Sequence, residues 1–322
     1  MIAVAPSPEL PQAAARACPV CGATSGRELA LASVDAAALD EYAFASRKFP
    51  EYMHHRLVEC PVCDLVYADP VLDVGAIGEA YGAAAFDSKE EAVYASRTYA
   101  RLVRALLPRL GGTGAALDIG TGEGSLLEQL LDLGFGRVRG YEPSAAPLAA
   151  ASPRVRELIV HDVFDAGRAA ADGPYDLITC CMTIEHVPDP AQLCRDAHAL
   201  LAPGGALMIV CHDRRAPLNR ALGMRSPIID IEHLQLFSQA SARALLERTG
   251  YASVGVRPFA NRYPLHYWLK LAPLPRGPKG ALVAGARHGA LRRLSFPLPV
   301  GNLAVTGFRC EDASPRCARR GA

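Results

Sequence analysis

The feature that most constrains this chain is a short apolar run, residues 115–119, that carries Asp118 and opens directly into Gly120-Thr121-Gly122-Glu123-Gly124-Ser125. Glycines at alternate positions let a backbone turn sharply and lie against a ligand with no Cβ in the way. Residues 125–133 then read as a helix stopped by Gly134, and the N–H groups at its start have no partner within the helix. A strand, a glycine loop and a helix in this order begin an open parallel sheet, in which ligands sit beyond the carboxyl ends of the strands.

The alternation continues along the chain. Strands are expected at 137–141, 158–160, 175–181, 206–211, 251–256 and 303–308. Helical segments are expected at 144–151, 190–201 and 238–249, the last capped by Ser238, with a turn at 203–205. A helix over 92–110, stopped by Gly111-Gly112, precedes the series. Strands and helices alternating at this spacing imply a mostly parallel sheet covered on both faces. Half of the 322 residues are hydrophobic and 21% are charged, enough apolar material for a substantial core.

A glycine loop alone also suits nicotinamide and flavin cofactors. Three details separate the readings. The spacing Gly-x-Gly-x-Gly followed by Ser125 lacks the third glycine of a dinucleotide site. Asp118 ahead of the loop would repel a pyrophosphate but suits an ammonium. Glu142 ends the next strand, where a ribose diol would lie, and Asp162 ends the third, within reach of an adenine amino group.

With Tyr175-Asp176-Leu177-Ile178-Thr179, Ile184-Glu185-His186-Val187-Pro188-Asp189-Pro190, Leu201-Ala202-Pro203-Gly204-Gly205 and Glu232-His233-Leu234, these residues resemble the ordered motifs of the class I S-adenosylmethionine-dependent methyltransferases. The resemblance implies an α/β fold with a Rossmann-like sheet, mostly parallel with a last antiparallel strand. It also implies a cofactor site made of Asp118, Gly120, Gly122, Glu142, Asp162, Cys181 and Met182. A sulfonium methyl group is strongly electrophilic, so such an enzyme chiefly aligns a nucleophile. For a hydroxyl acceptor a base helps, and His186 and His233 are the candidates. Each also reads as a structural hydrogen-bonding group, with Glu185 and Glu232 as their companions. Some metal-assisted relatives carry Glu-x-x-Glu-His in this loop. Met182 stands at the first glutamate, so no catalytic metal is expected.

Cys18-Pro19-Val20-Cys21-Gly22 and Cys60-Pro61-Val62-Cys63-Asp64 form two matched knuckles. Four thiolates from two such turns can close a tetrahedral structural zinc site, whereas a redox pair needs a helix start beside its own strand. The segment resembles the zinc-binding module ahead of some sugar and natural-product methyltransferases. The expected organisation is a tail at 1–14, a four-cysteine zinc-binding module at 15–70, the cofactor-binding domain at 92–310 with a basic insertion at 260–302, and a frayed tail at 311–322.

The net charge of +1 gives no general pull toward nucleic acid, and no nucleic-acid module is evident. Its distribution is uneven. From Arg248 to Arg309 there is no Asp or Glu, while ten Arg or Lys occur, seven of them within 260–302. One reading is a solvated cover over the sheet edge. The other is contact with an anionic partner, either a phosphate-bearing or glycan acceptor or a peripheral membrane surface. With no secretory signal or membrane span apparent, a cytoplasmic enzyme is expected. Its acceptor would be a small molecule or a glycan or nucleotide-sugar intermediate, methylated on oxygen. Methylation on carbon or nitrogen, or a non-catalytic binding protein of the same fold, is the alternative.

Overall fold

A computed structural model of the chain describes residues 16–35, 52–71, 82, 85–86, 88–272 and 274–310. The tails expected at 1–14 and 311–322 lie outside them. Three N-terminal strands, β1 (Arg27–Ala30), β2 (Leu57–Glu59) and β3 (Val66–Ala68), pair as an antiparallel meander.

Helix α1 (Lys89–Leu106) follows, with Glu90 and Glu91 in its first turn, where negative charge suits the exposed N–H groups. It passes into a 3-10 turn at Leu107–Arg109. Pro108, which has no N–H to continue the α-helical ladder, sets that end earlier than the glycine pair predicted to do so.

Then come β4 (Ala115–Ile119), α2 (Ser125–Asp132), β5 (Arg137–Tyr141), α3 (Ala145–Ala150), β6 (Ile159–Val160), α4 (Ala166–Ala169), β7 (Tyr175–Cys181), α5 (Pro190–Leu200) and β8 (Leu201–His212). The chain ends with α6 (Pro217–Leu222), β9 (Gln235–Leu236), α7 (Gln239–Arg248), β10 (Ala252–Pro264), α8 (Leu265–Leu271), α9 (Arg276–Ala286) and β11 (Ser295–Phe308).

The main sheet runs β6-β5-β4-β7-β8-β11-β10. The ladders from β6 to β8 are parallel, and β11 is antiparallel to both its neighbours. The sheet is therefore the expected one. The chain leaves β4 toward β5 and later returns to β7 on the other side, so a crevice opens at the carboxyl end of β4.

Two expectations need correction. The turn at 203–205 lies inside β8, where the register slips between Tyr175↔Leu201 and Leu177↔Ala206. Residues 260–302 are not merely a cover. β10 and β11 run on past the sheet body as an antiparallel pair as far as Pro264↔Ser295, with α8 and α9 between them.

Each face of the sheet has its own apolar layer. Ala95, Tyr99 and Val103 of α1 pack with Leu127 and Leu130 of α2 and with Trp268 on one side. On the other side, Leu193 and Ala197 of α5 pack with Leu245 and Leu246 of α7. Cys18, Val20, Leu65 and Tyr67 belong to this second layer too. The N-terminal meander is joined to the domain, because β9 pairs with β3 through Val66↔Leu236 and Tyr67↔Gln235.

Candidate active site

Central strand β4 delivers Asp118, only 2% exposed, to the crevice. From neighbouring β7, the Thr179 hydroxyl donates to Asp118 Oδ1 at 2.6 Å. Burial pushes the Asp118 carboxyl up to about 7, against the pull of that hydrogen bond. A carboxylate held under such a penalty gains strongly from a cation brought beside it.

The loop after β4 is fixed by two N–H donors, Gly120 and Thr121, on the Tyr141 carbonyl at the end of β5. Gly120 has φ +73°, and a Cβ there would collide with the Thr183 side chain. Gly122 has φ +59° and would meet nothing within 4 Å, so its constraint is backbone conformation beside open space. Glu142 follows β5. Its Oε2 accepts from Gly122 N at 2.8 Å and its Oε1 from Ser144 N at 2.9 Å. Burial raises the pKa of Glu142, and these backbone donors oppose the rise.

These groups line one cavity of about 660 Å³, which also takes in Cys181, Met182, His186 and His233. Met182 sits there at φ +56°, rare for a residue with a side chain and characteristic of functional sites. Asp162 does not line the cavity. It accepts from Val163 N and pairs with Arg168 at 3.0 Å, while Val163 and Phe164 face inward.

Beyond the cofactor-type acids, three imidazoles come together. The His186 and His233 rings lie 4.9 Å apart, and those of His212 and His233 lie 5.5 Å apart. His212, at the end of β8, was not anticipated; it belongs to no local motif. Each ring is anchored through Nδ1, His186 on the Glu232 carbonyl at 3.1 Å, His233 on the Ile228 carbonyl at 2.9 Å and His212 on Glu185 Oε1 at 2.8 Å. A carbonyl or carboxylate can only accept, so Nδ1 carries a hydrogen in each ring, and a ring in its neutral form keeps its lone pair on Nε2.

Glu185 is fully buried. Burial would raise its pKa, but the facing imidazoles, His212 foremost, hold it at about 2. Burial and the neighbouring His186 lower the pKa of His233. Ligand atoms of His186, Glu232 and His233 lie within 4.8 Å of one another, close enough to chelate a cation as well as to relay a proton.

The four knuckle cysteines also converge. Cys18 and Cys63 Sγ are 3.5 Å apart, as are those of Cys21 and Cys60, and all four lie within 4.8 Å. Zinc–sulfur bonds of about 2.3 Å require tetrahedral sulfurs roughly 3.8 Å apart, so the set fits the ion. The two turns match in detail. Cys18 N donates to the Ala23 carbonyl and Cys60 N to that of Leu65, and the residue after each second cysteine is left-handed, Gly22 at +74° and Asp64 at +65°.

Residues 92–255, about half the chain, match the family described as "Methyltransferase domain". The chain belongs to that methyltransferase family. Among curated relatives, it is 37% identical over 100 residues to a ubiquinone biosynthesis O-methyltransferase of Pseudomonas aeruginosa, covering 29% of this chain and 42% of that protein. It is 37% identical over 107 residues to the protein of that name from Sodalis glossinidius, covering 31% and 43%. The methyltransferase thus spans about two fifths of the length of these relatives. Among solved structures, a SAM-dependent methyltransferase from Archaeoglobus fulgidus overlaps 66% of the chain and 94% of its own at 19% identity and a TM-score of 0.42. The plantazolicin methyltransferase, bound to a desmethyl analogue and SAH, overlaps 74% and 90% at 16% identity and a TM-score of 0.48.

Proposed function

We propose that the chain transfers a methyl group from S-adenosylmethionine to a hydroxyl of a small molecule or sugar-type acceptor. The observation that carries this is the shared cavity, which Asp118, the glycine loop and Glu142 line together with three Nδ1-anchored imidazoles. When bound, the cofactor supplies an electrophilic methyl group on a sulfonium. Asp118 suits its ammonium, and the lone pairs Glu142 keeps beside its two backbone donors suit a ribose diol. His233, kept neutral by burial, offers Nε2 to the hydroxyl proton, with His186 and His212 beside it. Names of the curated relatives also support O-methylation.

The test is titration calorimetry with S-adenosylhomocysteine, followed by a labelled-methyl screen against cell metabolites. Absence of cofactor binding would favour a non-catalytic protein of the same fold. His233→Ala is expected to lower kcat roughly 10²–10⁴-fold with cofactor affinity unchanged.

The convergence of His186, Glu232 and His233 favours a second reading, a divalent cation at that point. Activity lost to a chelator and restored by Mg²⁺ or Mn²⁺ alone would decide for it. The N-terminal cysteines are read as a structural zinc site. Among the described residues the cavity lining has no Lys or Arg and includes the carboxyl groups of Asp118, Glu123, Glu142, Asp189, Asp196, Asp230 and Glu232, which speaks against an anionic acceptor group inside it. Any phosphate on the acceptor, or a membrane surface, would meet the exposed Arg287, Arg292 and Arg293 outside. No helix among the described residues is long and apolar enough to cross a membrane, and we keep cytoplasmic as the proposed location.

A further inference from the structure

Two side chains in the cavity have no part in the scheme above. Asn261 of β10 and Asn302 of β11 are 2% and 3% exposed, and both line the cavity. Asn261 Oδ1 and Asn302 Nδ2 are buried with no hydrogen-bond partner among the described residues. A buried polar atom left unmatched costs about 1–3 kcal/mol, and so calls for an explanation.

Their position in the sheet is informative. Asn302 stands directly across the ladder from His212 on one side and from Phe259 on the other. Between Phe259↔Asn302 and Asn261↔Leu298 the register slips, and Gly301 inside the slip takes φ +92°. A Cβ at Gly301 would meet Ala216 Cβ at 2.5 Å. Bulges of this kind re-aim side chains next to active sites. Beyond the amides, Tyr263, Tyr267 and Trp268 form one aromatic wall, with ring centroids 4.5–6.1 Å apart. The Trp268 indole N–H is spent on the Phe296 carbonyl at 3.0 Å, so it adds no polar contact to that wall.

We infer that Asn261 and Asn302 read the acceptor, and that they select a neutral ring carrying a second hydroxyl beside the one that reacts. This rests on the proposed function, with the acceptor lying beside the imidazoles. One amide accepts and the other donates, which a hydroxyl satisfies on both counts. The aromatic wall takes the face of the ring. Vicinal hydroxyls occur on a sugar ring and on a dihydroxybenzene, and the geometry fits either.

The experiment is calorimetry on the full chain saturated with S-adenosylhomocysteine, using two pairs of probes. Catechol is compared with phenol, and methyl α-glucopyranoside with its 2-deoxy counterpart. In at least one pair the vicinal diol is expected to bind about tenfold or more tighter. Asn302→Leu and Asn261→Leu should abolish that preference and leave S-adenosylhomocysteine affinity within about twofold, the scale of effects at independent sites. The pair that shows the preference identifies the source of the ring.

Melting temperature provides a readout independent of ligand. An apolar side chain removes the unmatched polar atom, so each leucine variant is expected to melt no lower than wild type. If a leucine variant fails to fold, the near-isosteric Asn302→Asp and Asn261→Asp serve for the calorimetry. Equal binding within both pairs, no binding of any diol at millimolar concentration, an unchanged preference in the variants, or a melting temperature lowered by both substitution types overturns the inference. Failure of S-adenosylhomocysteine to bind wild type would instead overturn the functional reading beneath it.

Discussion

Asp118 is the residue on which cofactor affinity should turn. In the cofactor-free protein burial holds its carboxyl at about 7, so it is ionised above that pH and increasingly neutral below. An ammonium favours the ionised form, so binding draws the proton off. Affinity for S-adenosylhomocysteine is expected to be greatest near pH 8, where the carboxylate is ionised and the ligand's ammonium still protonated, and to weaken as pH falls through 7 toward 6. Asp118→Asn should weaken binding at pH 8 by roughly tenfold or more, the scale of a lost charge-assisted contact, and flatten the pH dependence. Calorimetry across that range checks both, and an equally steep profile in the variant would reject Asp118 as the titrating group. Asp118 and Glu142 were legible because each stands at the carboxyl end of a strand at a fixed place in a recurring series. His212 was not, because its partner Glu185 lies 27 residues away and only the β7–β8 ladder brings the two together. Asp162 was read as ending the third strand, and it lies two residues past the end of β6 at Val160. Whether its side chain would face the cavity or turn to Arg168 depends on rotamers that spacing does not encode.

Among the elements, β4, β5 and β7 were readable to the residue, because apolar runs in β4 and β7 and the alternating Arg137-Val138-Arg139 of β5, each bounded by glycine, proline or charge, leave little freedom in their ends. β9 was invisible: two residues have no period, and the strand exists only because β3 offers it an edge. The outer halves of β10 and β11 were missed because proline and glycine between 258 and 301 mimic loop composition, while the pairing runs between strands separated by two helices. Helix α9 shows the limit of charge counting. It buries Lys279, Val283 and Ala286 on one stripe, while Leu282 is 49% exposed and Leu291 and Leu294, just beyond it, are 48% and 47% exposed. Arg287, Arg292 and Arg293 are exposed in the same stretch. Apolar and basic groups presented together suit an anionic lipid surface at about 1 kcal/mol per basic residue near the surface. The chain is expected to co-sediment with vesicles containing phosphatidylserine, and the double variant Arg292→Glu, Arg293→Glu to do so much less. Equal sedimentation with neutral vesicles, or no change in the variant, would leave the basic residues as solvated surface.

At the scale of the whole molecule, the cysteine segment is better understood as a brace for the loops that carry His186 and His233 than as an appendage. Its own strands are three or four residues long, too short to bury a core, so a bound metal would supply much of their folding free energy. β3 hands that order to β9, and the two residues just ahead of β9 are Leu234 and His233. Leu234 N and Gln235 N both donate to the Glu185 carbonyl, and the Gln235 side-chain amide donates to the carbonyls of Ile184 and Val187. Half-buried Arg16 completes the brace, donating to the carbonyls of Ala68, Pro188 and Leu234. Both histidine loops therefore hang from the strand that the cysteine knuckles support, a coupling no local pattern could reveal because the paired residues lie far apart in sequence. Cys63→Ser is expected to lower the melting temperature and to increase amide hydrogen exchange at Leu234 and Gln235. It should cut kcat with the acceptor, while the glycine loop, held by β4 and β5, keeps its affinity for S-adenosylhomocysteine. If exchange at 234–235 and kcat both match wild type after zinc is shown to be lost, the cysteine segment does not brace the site. If cofactor affinity falls in parallel with kcat, the support extends to the whole domain.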